Sequence, residues 1–158
     1  MKESKLLRLL DKYVGTFLCL ILSMFRRRRP AALKCSKILL IELFEMGASV
    51  MIIPSIRFIL KRQPDAKIYV LTTRGNHASW MLSGLVDPDR IVCLDGRNLW
   101  TFVASACSAI LRLREEKVDL SVDFEKFSRI SVLLSVLAGV NRRAGFFRYQ
   151  HEGLYRGS

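Results

Sequence analysis

Apolar residues along this chain fall alternately into short runs and longer stripes. Ile38-Leu39-Leu40-Ile41 is an unbroken run, short enough for a strand buried on both faces. A turn containing one glycine follows, Phe44-Glu45-Met46-Gly47-Ala48, and then Val50, Ile53, Ile56 and Leu60 recur at helical spacing. Lys61, Arg62 and Pro64 close that helix, because cations suit its carbonyl end and proline cannot continue it. Downstream, residues 66–72 (AKIYVLT), 90–94 (RIVCL) and 118–122 (VDLSV) read as strands, with a short fifth strand over 142–146. Residues 76–85, 99–114 and 128–138 read as helices, the second with Phe102, Val103, Ala106, Ile110 and Leu113 on one face. Strands and helices alternating at this interval predict an α/β domain on a parallel sheet, whose ligands gather at the carboxyl ends of the strands.

The N-terminal pattern differs. Over residues 4–25, Leu6, Leu7, Leu10, Tyr13, Val14, Phe17, Leu18, Ile21, Met24 and Phe25 share one helical face, and Lys5, Arg8, Lys12, Thr16, Cys19 and Ser23 fall on the other. Arg26, Arg27, Arg28, Arg29 and Pro30 end it. A spanning helix needs about 20 predominantly apolar residues, and Arg8, Asp11 and Lys12 interrupt this one. The positive cluster follows the apolar stretch, which does not fit a secretory signal. An apolar face with a polybasic end predicts an interfacial helix on an anionic membrane surface, with Phe17, Leu18, Ile21, Phe25 and Arg26–Arg29 in contact. The alternatives are a helix packed on its own domain or a second subunit, and a short anchor with cytoplasmic arginines.

Charge supports this division. Residues 1–37 carry ten Lys/Arg against two acids, and the rest carries sixteen against twelve. The basic surplus of the 158-residue chain is therefore concentrated at one end, unlike a domain wrapped by nucleic acid. Residues 141–156 interleave basic and aromatic side chains, but the reading is a strand and an exposed connection, with no nucleic-acid partner. Cys19, Cys35, Cys93 and Cys107 have no C-x-x-C spacing, and His77 and His151 stand far apart, so no metal site is expected. The organisation read from the sequence is an amphipathic helix over 1–29, a linker over 30–36, and a Rossmann-like domain over 37–158.

Two places carry candidate chemistry. At the first, Gly47 stands alone; G-x-G-x-x-G and the P-loop pattern are absent, which removes the usual support for dinucleotide and P-loop binding. What remains is a helix N-terminus with Ser49 as N-cap and unpaired N–H groups around 48–51, suited to an anion; a plain tight turn is the alternative. The second is Asp123, Glu125, Lys126 and Arg129 just after the fourth strand, with Asp119 earlier in it. Carboxylates there suit sugar hydroxyls or general-base work; the alternative is a solvated cluster with Glu125 and Arg129 paired at i, i+4. No nucleophile arrangement such as G-x-S-x-G is present.

Three stretches together resemble the N-terminal half of glycosyltransferase family 9, the heptosyltransferase-like enzymes. They are KILLIELFEMGASVMIIPSIRFILKRQPDAKIYVLT, with its early Pro54; VDPDRIVCLD; and VDLSVDFEKFSRISVLLSVLAGVNRRAGFFR. The resemblance covers nearly all of 37–148 and rests on the order and spacing of loose motifs. It implies the acceptor-side half of a two-domain GT-B glycosyltransferase. Such an enzyme uses a nucleotide-sugar substrate (ADP-linked by resemblance), needs neither cofactor nor metal, and has a carboxylate base. The family's base directly follows the turn glycine, where this chain has Ala48, leaving Glu45 as the substitute. Gly47, Ser49, Asp123, Glu125 and Arg129 match the acceptor side, with Glu125 in place of the family's Gln and Lys126 in place of its Gly.

After Arg148 too little sequence remains for a nucleotide-sugar domain. The expectation is a truncated or fragmentary copy that is inactive alone and belongs with a partner domain. It would act on a saccharide or lipid-linked cell-envelope acceptor, peripherally at the cytoplasmic face of the inner membrane. The alternative is a non-catalytic membrane-associated binding or scaffold module of the same fold.

Overall fold

The computed structural model describes residues 11–15, 17–19, 21, 35–44, 46–125 and 128–145. Five parallel strands form one sheet: β1 (Lys37–Ile41), β2 (Lys67–Thr73), β3 (Ile91–Leu94), β4 (Leu120–Asp123) and β5 (Arg142–Gly145). Between them run α1 (Met46–Arg62), α2 (Ala78–Met81), α3 (Leu99–Glu116) and α4 (Ile130–Leu137). Strand order is β3-β2-β1-β4-β5. The chain thus builds outward from β1 in one direction, then returns to lay β4 on the other side. β1 is central, with Ile41 level with Leu71 on one neighbour and with Asp123 on the other.

The continuous apolar run of β1 reflects burial on both faces, as parallel sheets require. Ile38 and Leu40 point to one side, where Ile52 and Ile56 of α1 pack with Ile68, Val70 and Leu82. Leu39 and Ile41 point to the other, where Ala106, Ala109 and Leu113 of α3 and Leu134 of α4 cover Leu71, Val92 and Leu94. Two apolar positions read from spacing lie elsewhere: Val50 and Val103 are exposed, and Ile52 and Ala109 take the core positions. Helix spacing tolerates this one-position rotation because only part of the stripe meets the sheet. The stretch over 76–85 is shorter than expected, a 3-10 turn over Arg74–Asn76 followed by the single turn of α2.

Local chemistry sets the ends. Asn98 caps α3 reciprocally: its side chain accepts from the Thr101 N–H at 2.9 Å, and Thr101 Oγ1 accepts from the Asn98 N–H. Gly139, at φ +78, ends α4 by letting the Val140 N–H reach Ser135 O. Asp119 is a tie at the amino edge: its Oδ2 accepts from the Ser36 and Lys37 N–H groups at 2.8 and 2.9 Å.

The N-terminal segment contains a π-helical turn over Asp11–Gly15, with Phe17, Leu18, Cys19 and Ile21 helical. Cys19, read from spacing as part of the polar face, is fully buried against Val132 and Leu133 of α4. A small, weakly polar thiol packs readily on an apolar helix. Tyr13, Val14, Phe17, Leu18 and Ile21 remain exposed. Among the described residues, the segment packs on its own domain through Cys19 while Tyr13, Val14, Phe17, Leu18 and Ile21 face outward. Phe25 and Arg26–Arg29 lie outside the described residues. Among the described residues no helix is long and apolar enough to cross a membrane.

Candidate functional site at the switch point

Strand order reverses between β1 and β4, the place where ligands of such open sheets gather. The β1 side is Glu42-Leu43-Phe44 and the first turn of α1; the β4 side is Phe124-Glu125, leading to Arg129 at the N-cap of α4. Phe124 N–H donates to Ile41 O at 2.9 Å, extending the ladder one step past the strands.

Glu125 holds the two sides together. Its Oε1 accepts from the N–H groups of Leu43 at 2.7 Å and Phe44 at 2.8 Å. Its own N–H donates to Asp123 Oδ1 at 2.9 Å, so Asp123 shapes the turn that aims it. Asp123, Glu125 and Arg129 are only 2%, 6% and 8% exposed, so the cluster is buried and not solvated. The physical reason is that the Leu43 N–H would otherwise be buried at a strand end without an acceptor.

A carboxylate not singled out by spacing completes the floor. Glu42 is wholly buried and accepts a hydrogen bond from Asn76 Nδ2, while its N–H donates to Leu71 O. Thr73 Oγ1 donates to Leu43 O at 2.7 Å. The β2 connection thereby braces the turn after β1. A signal for Glu42 was present: an acid inside the apolar run Ile38–Leu43, where both faces are covered. Nothing adjacent marked Asn76, which reaches Glu42 only through the pairing of β1 with β2.

α1 begins at Met46, so Gly47 lies in its first turn, and Ser49 sits fourth in the helix instead of at its N-cap. The N–H groups left without helical partners are accordingly those near Met46, Gly47 and Ala48, not those over 48–51. Such N–H groups suit a ligand oxygen. Glu45, the substitute base, and Lys126 lie outside the described residues.

Farther along the carboxyl edge, Asp95 follows β3. Arg97 forks onto it, with Nη2 to Oδ2 at 2.7 Å and Nε to both oxygens at 3.0 Å, and Arg74 lies 3.8 Å away. The Arg97 hydrogen bonds hold the Asp95 carboxyl down at about 2. Cys93, just beneath, has its thiol pushed up by burial. The four cysteines form no disulfide, and among the described residues no three metal-ligating side chains gather. A cavity of about 520 Å³ lies at the opposite, amino edge between Arg114, Lys117, Asp119 and Arg142. The amino edge is where strands enter the sheet, away from the ligand edge of such folds.

Among the described residues at the switch point, Glu42, Asp123, Glu125 and Arg129 are all buried.

No family model matches the sequence, and the comparison with curated proteins found no match. Two solved structures share its fold. With E. coli ADP-heptose LPS heptosyltransferase II the TM-score is 0.59 at 22% identity, over 75% of this chain and 33% of that one. With a glycosyl transferase of family 9 from Veillonella parvula it is 0.60 at 10% identity, over 80% of this chain and 42% of that one. The chain thus spans well under half the length of either. It has a glycosyltransferase-like fold of the family 9 kind.

Proposed function

We propose that this chain is the acceptor-side domain of a family 9-type glycosyltransferase and presents a saccharide hydroxyl at the crevice between β1 and β4. The observation that carries the reading is the fold shared with two glycosyltransferases, in which the strand order reverses between β1 and β4. The nucleotide-sugar, ADP-linked in the heptosyltransferase analogy, is left to a partner domain. In this reading Glu42 and Glu125 are positioning residues, because their oxygens already hold Asn76 and the Leu43–Phe44 backbone. The first-turn N–H groups of α1 meet the acceptor, and Glu45, between Phe44 and Met46, takes its proton.

The acceptor is a cell-envelope saccharide or its lipid-linked form, reached from the cytoplasmic face of the inner membrane. The outward apolar face of Tyr13, Val14, Phe17, Leu18 and Ile21, continued in sequence by Arg26–Arg29, supports peripheral attachment. A second reading, a non-catalytic binding module of the same fold, is favoured by Ala48 standing where the family's base is expected.

Titration of the isotope-labelled chain with a lipopolysaccharide-core oligosaccharide tests the site. The amides of Phe44, Met46, Gly47, Ala48 and Phe124 are expected to shift together. Shifts elsewhere only, or none at millimolar saccharide, would sink the acceptor reading. A Glu45→Gln variant that binds equally but loses sugar transfer in the presence of a donor domain supports the enzyme; transfer absent in both supports the module.

A further inference from the structure

Helix α3 is apolar on two sides. Its inner face, Ala106, Ala109 and Leu113 with Phe102 and Ile110, covers the sheet. Its outer line is Trp100, Ala104, Cys107 and Leu111, all of them exposed. Trp100 is 83% and Leu111 59% exposed, with Val103 beside them at 45%. Intervals alternating between four and three residues keep these side chains in one row on the helix, the spacing of a helix–helix seam. From Leu99 to Leu111 the helix carries no charged side chain. A helix that is apolar all round belongs in a covered position, and here only one side of it meets the sheet.

The outer row is complementary to itself. Bulky Trp100 and Leu111 stand at its ends, and small Ala104 and Cys107 at its centre. Two copies of α3 laid antiparallel about a two-fold axis between Ala104 and Cys107 set Trp100 of each against Leu111 of the other. Small side chains at the crossing let the helices approach closely, and a two-fold contact uses the same patch on both copies.

The charges beyond the row agree with this direction. Arg112 donates to Asp89 O, Arg114 donates to Leu137 O at 2.6 Å, and Glu116 accepts from Lys37 and Tyr69. Glu115 is exposed and makes no ion pair among the described residues. The same two-fold axis carries it toward the turn that precedes α3 in the other copy. There Arg74 and Arg97 against Asp95 leave one positive charge in surplus, beside the positive end of the helix dipole.

The area is sufficient for a weak, specific contact. An exposed tryptophan offers roughly 200 Å², and with Leu99, Val103, Leu111 and the small side chains each copy supplies roughly 500 Å². The pair then buries about 1,000 Å², the lower limit for a specific interface, which corresponds to a Kd on the order of 10 µM.

We infer that the outer face of α3 is a docking surface for a second copy of this chain, the two helices crossing antiparallel at Ala104 and Cys107. The inference is independent of the glycosyltransferase reading.

Sedimentation velocity of the full chain from about 1 to about 200 µM tests it. A reversible monomer–dimer equilibrium is expected. Ala104→Glu and Leu111→Glu should each weaken it at least about tenfold, because each buries an unpaired charge in the seam. Their circular dichroism should match the parent, since both positions are exposed. The unmodified chain supplies a second measurement that needs no variant. Cys107 is the exposed one among the four cysteines, so a short bismaleimide should join Cys107 to Cys107 in the dimer, as read by peptide mapping.

A chain that stays monomeric throughout would overturn the proposal. So would a dimer that both glutamate variants leave intact, or one cross-linked without Cys107, either of which assigns the contact to another face. Monomers that co-sediment with phosphatidylglycerol vesicles, and lose that binding in Leu111→Glu, would assign the face to lipid and overturn it as well.

Discussion

Glu125 is predicted to bear more of the stability of this domain than its place in a loop suggests. Its Oε1 takes two backbone N–H groups, at 2.7 and 2.8 Å. Hydrogen bonds to a charged acceptor contribute roughly 1.5–3 kcal/mol each. The two are not equal here. Leu43 is fully buried, so Glu125→Ala strands its N–H, whereas Phe44 is half exposed and water replaces the lost partner. Removing a buried carboxylate also removes its desolvation cost. The net loss for Glu125→Ala is therefore about 3 kcal/mol, near a single stranded N–H plus one lost bond. Glu125→Gln retains an oxygen acceptor without the charge and should lose about 1 kcal/mol.

Urea unfolding followed by circular dichroism measures both. With a slope of about 2 kcal/mol per molar, the midpoint falls by about 1.5 M for alanine and about 0.5 M for glutamine. An alanine variant within about 0.3 M of the parent would refute the claim that this carboxylate pins the β1 turn. The outcome also bears on function, because a Glu125 that holds the backbone is occupied and cannot serve as the base.

Two further outcomes follow from the same structure. Tyr69 Oη donates to Glu116 Oε2 at 2.6 Å, and burial together with that carboxylate pushes the phenol up to about 12. The fold favours the neutral phenol, so its contribution is whole below the ordinary value of 10.0 and is lost as pH rises through about 12. One tyrosine should titrate late by tyrosinate absorbance, and Tyr69→Phe should abolish that last step. A last step that persists in the variant would reassign it. Thr72 Oγ1 is buried with no hydrogen-bond partner among the described residues, so Thr72→Val should raise stability by about 1 kcal/mol in the same urea assay. A lowered midpoint would mean the hydroxyl meets a buried water.

Much of the fold was legible before any coordinates. β1, β2 and β3 lie within a residue of the runs read from apolar spacing, because a strand covered on both faces leaves a continuous apolar signature. The face of a helix was less secure. Val50 and Val103 satisfy helical spacing yet face solvent, since apolar side chains are common on surfaces and spacing does not say which part of a stripe meets the sheet. Asp119, read from the sequence as lying earlier in the fourth strand, is a tie at the opposite edge, a distinction set by where the strand starts.

By itself the sequence determined that an α/β fold on a parallel sheet opens with a strand near Lys37, and that an amphipathic pattern precedes it. Each is a property of local period and order, which neighbours in the chain control directly. Only the tertiary structure decided that Glu125 grips the Leu43–Phe44 backbone, that Asn76 binds Glu42, and that Cys19 seats the N-terminal segment on α4. Those contacts join residues tens of positions apart. Their partners are chosen by strand order and by the need to pair every buried polar group, and neither is written in the spacing of any one segment.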